Sequence, residues 1–287
     1  MGTRIIAGLH VQICGHGPPV LLIHGFGASG FTWSKIISRL SGDHRIIVLD
    51  LKGFGRSRKP RDGHYSLRDQ AAAVIAVIDA LGLDGFAMVG HSLGGGVALL
   101  TALLLEQQAP GRLGRLALLD TIAYRQPLPY FIKLLRVPVF GELITFLLPK
   151  KWMVRRVLGF AYFDRAKIEY AFVKEYARPL LCGAGRAALV AAARALIPPD
   201  VDELASRYST IAVPVQLLAG CEDRIVPLAA IRRLAGAIPS ARLCILDCCG
   251  HVPQEEQPDA TVSILHEFLA EPAVGHRGVK PASDTSS

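Results

Sequence analysis

A serine between glycines, followed downstream by an aspartate and then a histidine, is a residue set suited to nucleophilic acyl chemistry. In this chain the serine is Ser92, within Gly90-His91-Ser92-Leu93-Gly94. The pattern is G-x-S-x-G, in which the glycines permit a sharp turn that lifts a serine hydroxyl clear of a sheet. A serine hydroxyl is a weak nucleophile by itself; it needs an adjacent base, and the base needs an acid to orient it. His251, in Cys249-Gly250-His251-Val252-Pro253, is the candidate base, and Asp223, in Gly220-Cys221-Glu222-Asp223, the candidate acid. Two other carboxylates compete for the acid's place: Glu222, adjacent to Asp223, and Asp120, at the end of an earlier apolar run.

The same chemistry requires donors for the oxyanion of a tetrahedral intermediate. The loop His24-Gly25-Phe26-Gly27 and the residue after Ser92 place the amides of Phe26 and Leu93 as that pair. Phe26 and His91 are also candidates to line a substrate pocket, with the His91 side chain directed away from the Ser92 hydroxyl. His24 reads as structural, bonding nearby backbone. Gly94-Gly95-Gly96 weakens a helix, and its expected use is close approach to neighbouring elements. Cys244, Cys248, Cys249 and His251 crowd together, but a second CxxC-type pair that would complete a zinc site is missing. The cysteines therefore read as small buried residues on a strand and its following loop, and no metal or cofactor is expected.

These residues have to be positioned by a scaffold, and the chain alternates short apolar runs with amphipathic segments. That alternation predicts a parallel sheet with helices on both faces. Strands are expected at Thr3–Ala7 and His10–Cys14, an opening hairpin turning at Gly8-Leu9, and then at Val20–Ile23, Arg45–Leu49, Phe86–Val89, Leu116–Leu119, Val215–Leu218 and Arg242–Leu246. Helices are expected at Phe31–Leu40, Leu67–Leu81, Leu93–Gln107, Leu228–Ile238 and Ala260–Leu269. Ser66 is the expected N-cap of the second helix and Gly82 its stop. Ser92 then lies between a strand and a helix, as the elbow needs, and Asp223 and His251 lie on the loops after the last two strands.

The alternation divides the chain. Residues 1–120 and 206–271 form the two parts of one core. Residues 121–205 carry no strand pattern, are punctuated by prolines, and hold 12 of the 20 aromatic residues. They read as an inserted helical lid whose Tyr130, Phe131, Phe140, Phe146 and Trp152 wall a pocket or pack the lid onto the core. Residues 272–287 read as a disordered tail. Of the net charge of +8, six charges fall in 121–205. A nucleic-acid motif does not accompany them, so a surface toward anionic substrates or lipid headgroups is the more natural reading, and a solvated surface with no partner more natural still. Met1–His10 has one arginine and no apolar run of leader length, and the apolar runs fall short of the roughly 18–20 residues of a membrane span. These features predict a cytoplasmic protein with no transmembrane segment, in contact with a membrane, if at all, through the lid.

With His24-Gly25-Phe26-Gly27, Asp50–Ser57, Gly90–Gly95, Gly220–Asp223 and Gly250-His251 in view, the chain resembles the α/β-hydrolase superfamily over residues 4–270. The resemblance implies an eight-stranded, mostly parallel sheet with helices on both faces and an inserted helical cap. Serine at the elbow sets it apart from epoxide hydrolases and haloalkane dehalogenases, which use aspartate there. Gly-His-Ser is similar to the elbow of carboxylesterases and lipases. Carbon–carbon bond hydrolases commonly carry Asn before the serine and Trp after the histidine, where this chain has His91 and Val252. The expected function is therefore hydrolysis of a small-molecule carboxylic ester through an acyl-enzyme on Ser92. The alternatives are carbon–carbon bond or lactone hydrolysis on the same triad, or a non-catalytic binding module.

Overall fold

A computed structural model describes residues 2–271; the expected tail lies outside them. Among the described residues eight strands form one sheet: β1 (Gly2–Ile6), β2 (Leu9–Cys14), β3 (Pro19–Ile23), β4 (Arg45–Asp50), β5 (Phe86–His91), β6 (Leu113–Leu119), β7 (Val215–Gly220) and β8 (Ala241–Leu246). Their spatial order is β1-β2-β4-β3-β5-β6-β7-β8. β2 runs antiparallel to both its neighbours, and β3 to β8 pair in parallel. The helices, in chain order, are α1 (Ser34–Leu40), α2 (Leu67–Ala80), α3 (Leu93–Gln108), α4 (Tyr130–Arg136), α5 (Phe140–Leu147), α6 (Lys150–Ala161), α7 (Tyr170–Ala177), α8 (Gly183–Arg194), α9 (Val201–Ser206), α10 (Leu228–Ala237), α11 (Pro253–Glu256) and α12 (Pro258–Ala270).

Period-two alternation along the strands builds the layers. Leu21 and Ile23 of β3, with Ile47 and Leu49 of β4, join the core beneath α2, α3 and α10. Their neighbours Val20, Leu22, Ile46 and Val48 face the other way, into the core beneath α1 and α12. The doubly covered sheet is the α/β-hydrolase architecture.

Local signals set most boundaries. Ser66 accepts from the Asp69 amide while the Asp69 carboxylate accepts from the Ser66 amide, a capping box that starts α2. Gly82, at φ +56°, follows its end. The opening hairpin turns one residue earlier than expected. Ile6 pairs with Leu9, so the two-residue turn is Ala7-Gly8, both at positive φ, the turn whose twist suits flanking strands. The expected helix at Phe31–Leu40 opens instead as a 3-10 turn, Gly30–Trp33, before α1. The four-residue α11 was not anticipated.

Between β6 and β7 the described backbone holds only helices and turns. Pro129 and Pro149 stand immediately before α4 and α6, where a proline's fixed φ and missing N–H are tolerated. Leu158, Ala161, Tyr162, Phe172, Val173 and Tyr176 of this segment cluster with Val252, next to His251. Among the described residues no helix is long and apolar enough to cross a membrane.

Candidate active site

β5 ends in Gly90-His91, and α3 begins at Leu93. Ser92 joins them at φ +54°, ψ −117°, a conformation that costs energy for a residue with a Cβ and persists because its surroundings hold it. Three glycines let α3 press against the sheet. A Cβ at Gly94 would meet the Ile23 carbonyl oxygen at 2.3 Å, one at Gly95 the Thr121 hydroxyl at 2.1 Å, and one at Gly96 the Ile122 side chain at 2.9 Å. The expected use of the triple glycine is therefore what the packing shows.

Ser92, Asp223 and His251 come together. The Ser92 Oγ lies 2.8 Å from His251 Nε2, and His251 Nδ1 lies 2.7 Å from Asp223 Oδ2. The other Asp223 oxygen accepts the amides of Ile225 and Val226 at 2.7 and 3.1 Å, which fixes the carboxylate's plane. Both imidazole nitrogens are thus engaged. An Nδ1–H donated to Asp223 leaves Nε2 free to accept the serine proton.

The competing carboxylates occupy different posts. Glu222 turns away from the imidazole and accepts the Cys249 amide at 2.9 Å, tying down the loop that carries His251. Asp120 is fully buried, with Oδ1 accepting the Gly220 amide at 3.0 Å and Oδ2 without a partner among the described residues. The carboxyls of Asp120 and Asp223 and the His251 ring converge within 4.8 Å. Burial, reinforced by the Asp223 charge, pushes the Asp120 carboxyl well above the usual carboxylate range. It stands behind the acid and does not replace it.

The cysteines do not converge on His251. Cys249 is buried, and burial pushes its thiol up, whereas Cys248 is exposed at φ +53°. The expectation of burial therefore fails for Cys248, which sits at a turn.

Gly25 brings the loop after β3 against the elbow, since a Cβ there would meet the Ser92 Cβ at 3.0 Å and His91 Nδ1 at 2.9 Å. That approach brings the loop carrying Phe26 to the elbow; Phe26 and Leu93 both line the cavity over Ser92, and the Leu93 N–H is the first of α3 and lacks an intrahelical acceptor. His24 takes its structural place: its Nε2 accepts the Leu51 amide at 3.0 Å, and its Nδ1 lies 2.7 Å from the Gly25 carbonyl oxygen.

A cavity of about 520 Å³ opens over Ser92 and His251, a volume typical of small-molecule sites. Phe26 and His91 line it, as expected, and so do Tyr130, Phe131 and Trp152. Phe140 and Phe146 do not; they project from the outer surface of α5. Their periodicity marked an apolar helix without telling which side met the core. Most of the wall is aliphatic or aromatic, with Leu128, Leu135, Leu148 and Leu189 among its members. The polar lining comes from a few residues, including Gln126 and Arg156.

Sequence reasoning missed one group in that wall. Glu255 on α11 is buried and receives the hydroxyls of Thr32, Tyr162 (2.6 Å) and Tyr176. Burial raises its carboxyl and likewise drives the two tyrosines upward. Its neighbour Glu256 accepts the amides of Gly250, Phe163 and Asp164 at 2.9, 3.1 and 2.7 Å. The Glu255-Glu256 pair after Pro253 was the only sequence signal.

The comparisons with known proteins agree with this geometry. The chain is 34% identical over 286 residues to a 2-hydroxymuconate semialdehyde hydrolase of Pseudomonas putida, covering 94% of this chain and 95% of that protein. It is 30% identical to a protein of the same name from a Pseudomonas species, covering 94% of each. Among solved structures it superposes on a meta-cleavage product hydrolase from Pseudomonas fluorescens with a TM-score of 0.78 at 26% identity, covering 94% and 97% of the two chains. An epoxide hydrolase gives 0.81 at 25%, covering 94% and 98%. The named relatives thus include carbon–carbon bond hydrolases, the alternative and not the first reading of the sequence. The profile of the alpha/beta hydrolase family matches residues 20–264, and the chain belongs to that family.

Proposed function

We propose that this chain is a serine hydrolase that cleaves the carbon–carbon bond beside the aldehyde or ketone carbonyl of an oxo-dienoic acid of the kind named for its relatives. The observation that carries the hydrolytic chemistry is the Ser92–His251–Asp223 chain of contacts at 2.8 and 2.7 Å, facing a largely apolar cavity. Similarity to carbon–carbon bond hydrolases over nearly the whole chain favours the bond type, and Arg156 in the wall supplies a cation for the substrate carboxylate. Helices α4 to α8 act in this reading as a cap that selects substrate.

Ser92 Oγ adds to that carbonyl carbon while its proton passes to His251 Nε2, and the amides of Phe26 and Leu93 hold the oxyanion. Collapse breaks the carbon–carbon bond. The departing carbon needs a conjugated carbonyl as a sink for its electron pair, so the 2-hydroxy-dienoate reacts as its keto tautomer, in which the 2-hydroxyl has lost its proton and that carbon has gained one. On cleavage the pair is held as the dienolate of the 2-oxo acid, which takes the proton back from His251. Water, deprotonated by His251, then releases the acid from Ser92.

A second reading, ester hydrolysis, is favoured by His91 and Val252, which stand where carbon–carbon bond hydrolases commonly have Asn and Trp. The two differ only in whether the leaving atom is carbon or oxygen. The test is to measure kcat/KM for a 2-hydroxy-6-oxo-dienoate, followed by loss of its absorbance, beside 4-nitrophenyl esters of graded length. Dienoate turnover at least about tenfold above the best ester supports the first reading, and ester turnover alone supports the second. Failure of both, with no labelling of Ser92 by a fluorophosphonate, overturns the enzyme reading.

A further inference from the structure

The exposed apolar side chains of this protein are not scattered. Of the thirteen large hydrophobic residues exposed among the described residues, nine fall between Tyr130 and Trp152, on α4, α5, the connection between them and the start of α6. Val139 is 77% exposed, Phe146 65% and Leu147 63%. The spacing makes this a face: Tyr130 and Leu134 repeat along α4, whose C-cap Val137 continues it, and Phe140, Leu143 and Leu147 along α5. At the tip between the two helices Val139 is held at φ +65°, a conformation rare for a β-branched residue, with its side chain outward. A contiguous exposed apolar patch in a folded protein marks a contact surface.

The charge around that face identifies the contact. Residues 130–156 hold six cations, Lys133, Arg136, Lys150, Lys151, Arg155 and Arg156, against one acid. That acid, Glu142, is ion-paired with Arg194 at 2.8 Å. Apolar groups ringed by unbalanced cations match the interface of an anionic bilayer, whose acyl region takes the first and whose headgroups take the second. The cavity adds a third observation. Tyr130, Leu134 and Trp152 line it and are also exposed, so it opens through this same face.

We propose that the α4–α6 face docks on an anionic lipid surface, so that the cavity opens toward the bilayer. This goes beyond the reaction proposed above and does not depend on which bond is cleaved.

The test is co-sedimentation of the full chain with phosphatidylcholine vesicles, with and without about 30% phosphatidylglycerol, at about 0.05 and 0.5 M NaCl, which span strong and weak screening. The expected result is partition to the anionic vesicles at low salt that falls at least about tenfold at high salt. Fluorescence gives an independent reading. The chain has two tryptophans; Trp33 is fully buried and Trp152 is 51% exposed, so a blue shift on binding reports Trp152. V139D/L147D and K133E/R136E should each weaken partition at least about tenfold while leaving turnover of a small soluble substrate unchanged. No partition to anionic vesicles at low salt, or equal partition to neutral ones, overturns the proposal. So does a dimer that V139D/L147D dissociates in a protein that ignores vesicles.

Discussion

His91 and His251 are joined by a hydrogen bond that bypasses the catalytic nitrogens: His91 Nε2 lies 2.7 Å from the backbone carbonyl oxygen of His251, with the rings 4.9 Å apart. Burial holds the His91 imidazole well below its usual value, so it stays neutral and its one N–H fixes the base's backbone. His91→Phe keeps the volume and removes that donor. It should lower kcat about ten- to a hundredfold, the cost of a small misplacement of a catalytic group. Fluorophosphonate labelling and thermal unfolding separate this from misfolding: Ser92 should still label, more slowly, in a protein that melts within a few degrees of the parent.

Asp223 and Asp120 should differ sharply on conversion to the amide. Asp223→Asn turns the imidazole toward the wrong tautomer, and kcat should fall by about 10³–10⁴. Burial and the Asp223 charge favour the protonated Asp120 carboxyl, so Asp120→Asn puts a neutral group of the same shape in its place and should change kcat by no more than about threefold. Steady-state kinetics on both variants checks the ranking.

Asp120 also makes a prediction about stability. Its carboxyl titrates well above the usual range when folded and near pH 4 when unfolded. The folded state then binds the extra proton, so Asp120's contribution is full below about pH 4 and is lost as pH rises through the folded value. Asp120→Asn should therefore leave Tm unchanged at the acid end and raise it, relative to the parent, as pH climbs toward neutrality. Melting curves of both proteins from about pH 4 to 8 show whether the gap widens.

Glu255 is a joint as much as a pocket wall, because its three hydroxyl donors come from the 3-10 turn, the end of α6 and α7. Glu255→Leu strands those hydroxyls and should cost about 3 kcal/mol or more, measured by urea unfolding. Tyr176→Phe removes one donor and should cost about 1 kcal/mol.

The cavity wall should select by length. Phe131→Ala and Leu189→Ala remove apolar contact from it. Each should lower kcat/KM for the longest substrates by about tenfold while sparing the shortest. A uniform change across a graded series would make both residues scaffold only.

The meeting of Ser92, His251 and Asp223 was legible from sequence because each sits at a strand end within a short motif, and the order of the three restricts the fold. The sheet was legible because buried strands read as apolar runs. What stayed hidden depended on facing. Phe131 and Phe146 share a chemistry and a segment, yet one meets the cavity and the other solvent, because an amphipathic helix in an insertion does not encode which neighbour its apolar side will meet. The post of Glu222 and the presence of Glu255 in the wall were hidden for the converse reason. A carboxylate beyond a strand end looks solvated until the fold delivers the amide of Cys249 or the hydroxyls of Tyr162 and Tyr176.

The His251 amide donates to the Ala161 carbonyl oxygen at 2.7 Å, and Glu256 takes the Gly250 amide on one side and those of Phe163 and Asp164 on the other. The segment between β6 and β7 is consequently not an interchangeable module. A chimera that grafts a relative's segment onto this core keeps His251 in place only if the graft restores a carbonyl at position 161 and amides for Glu256. The natural splice points are therefore not the strand ends alone, since residues 250–256 have to travel with the segment they hold.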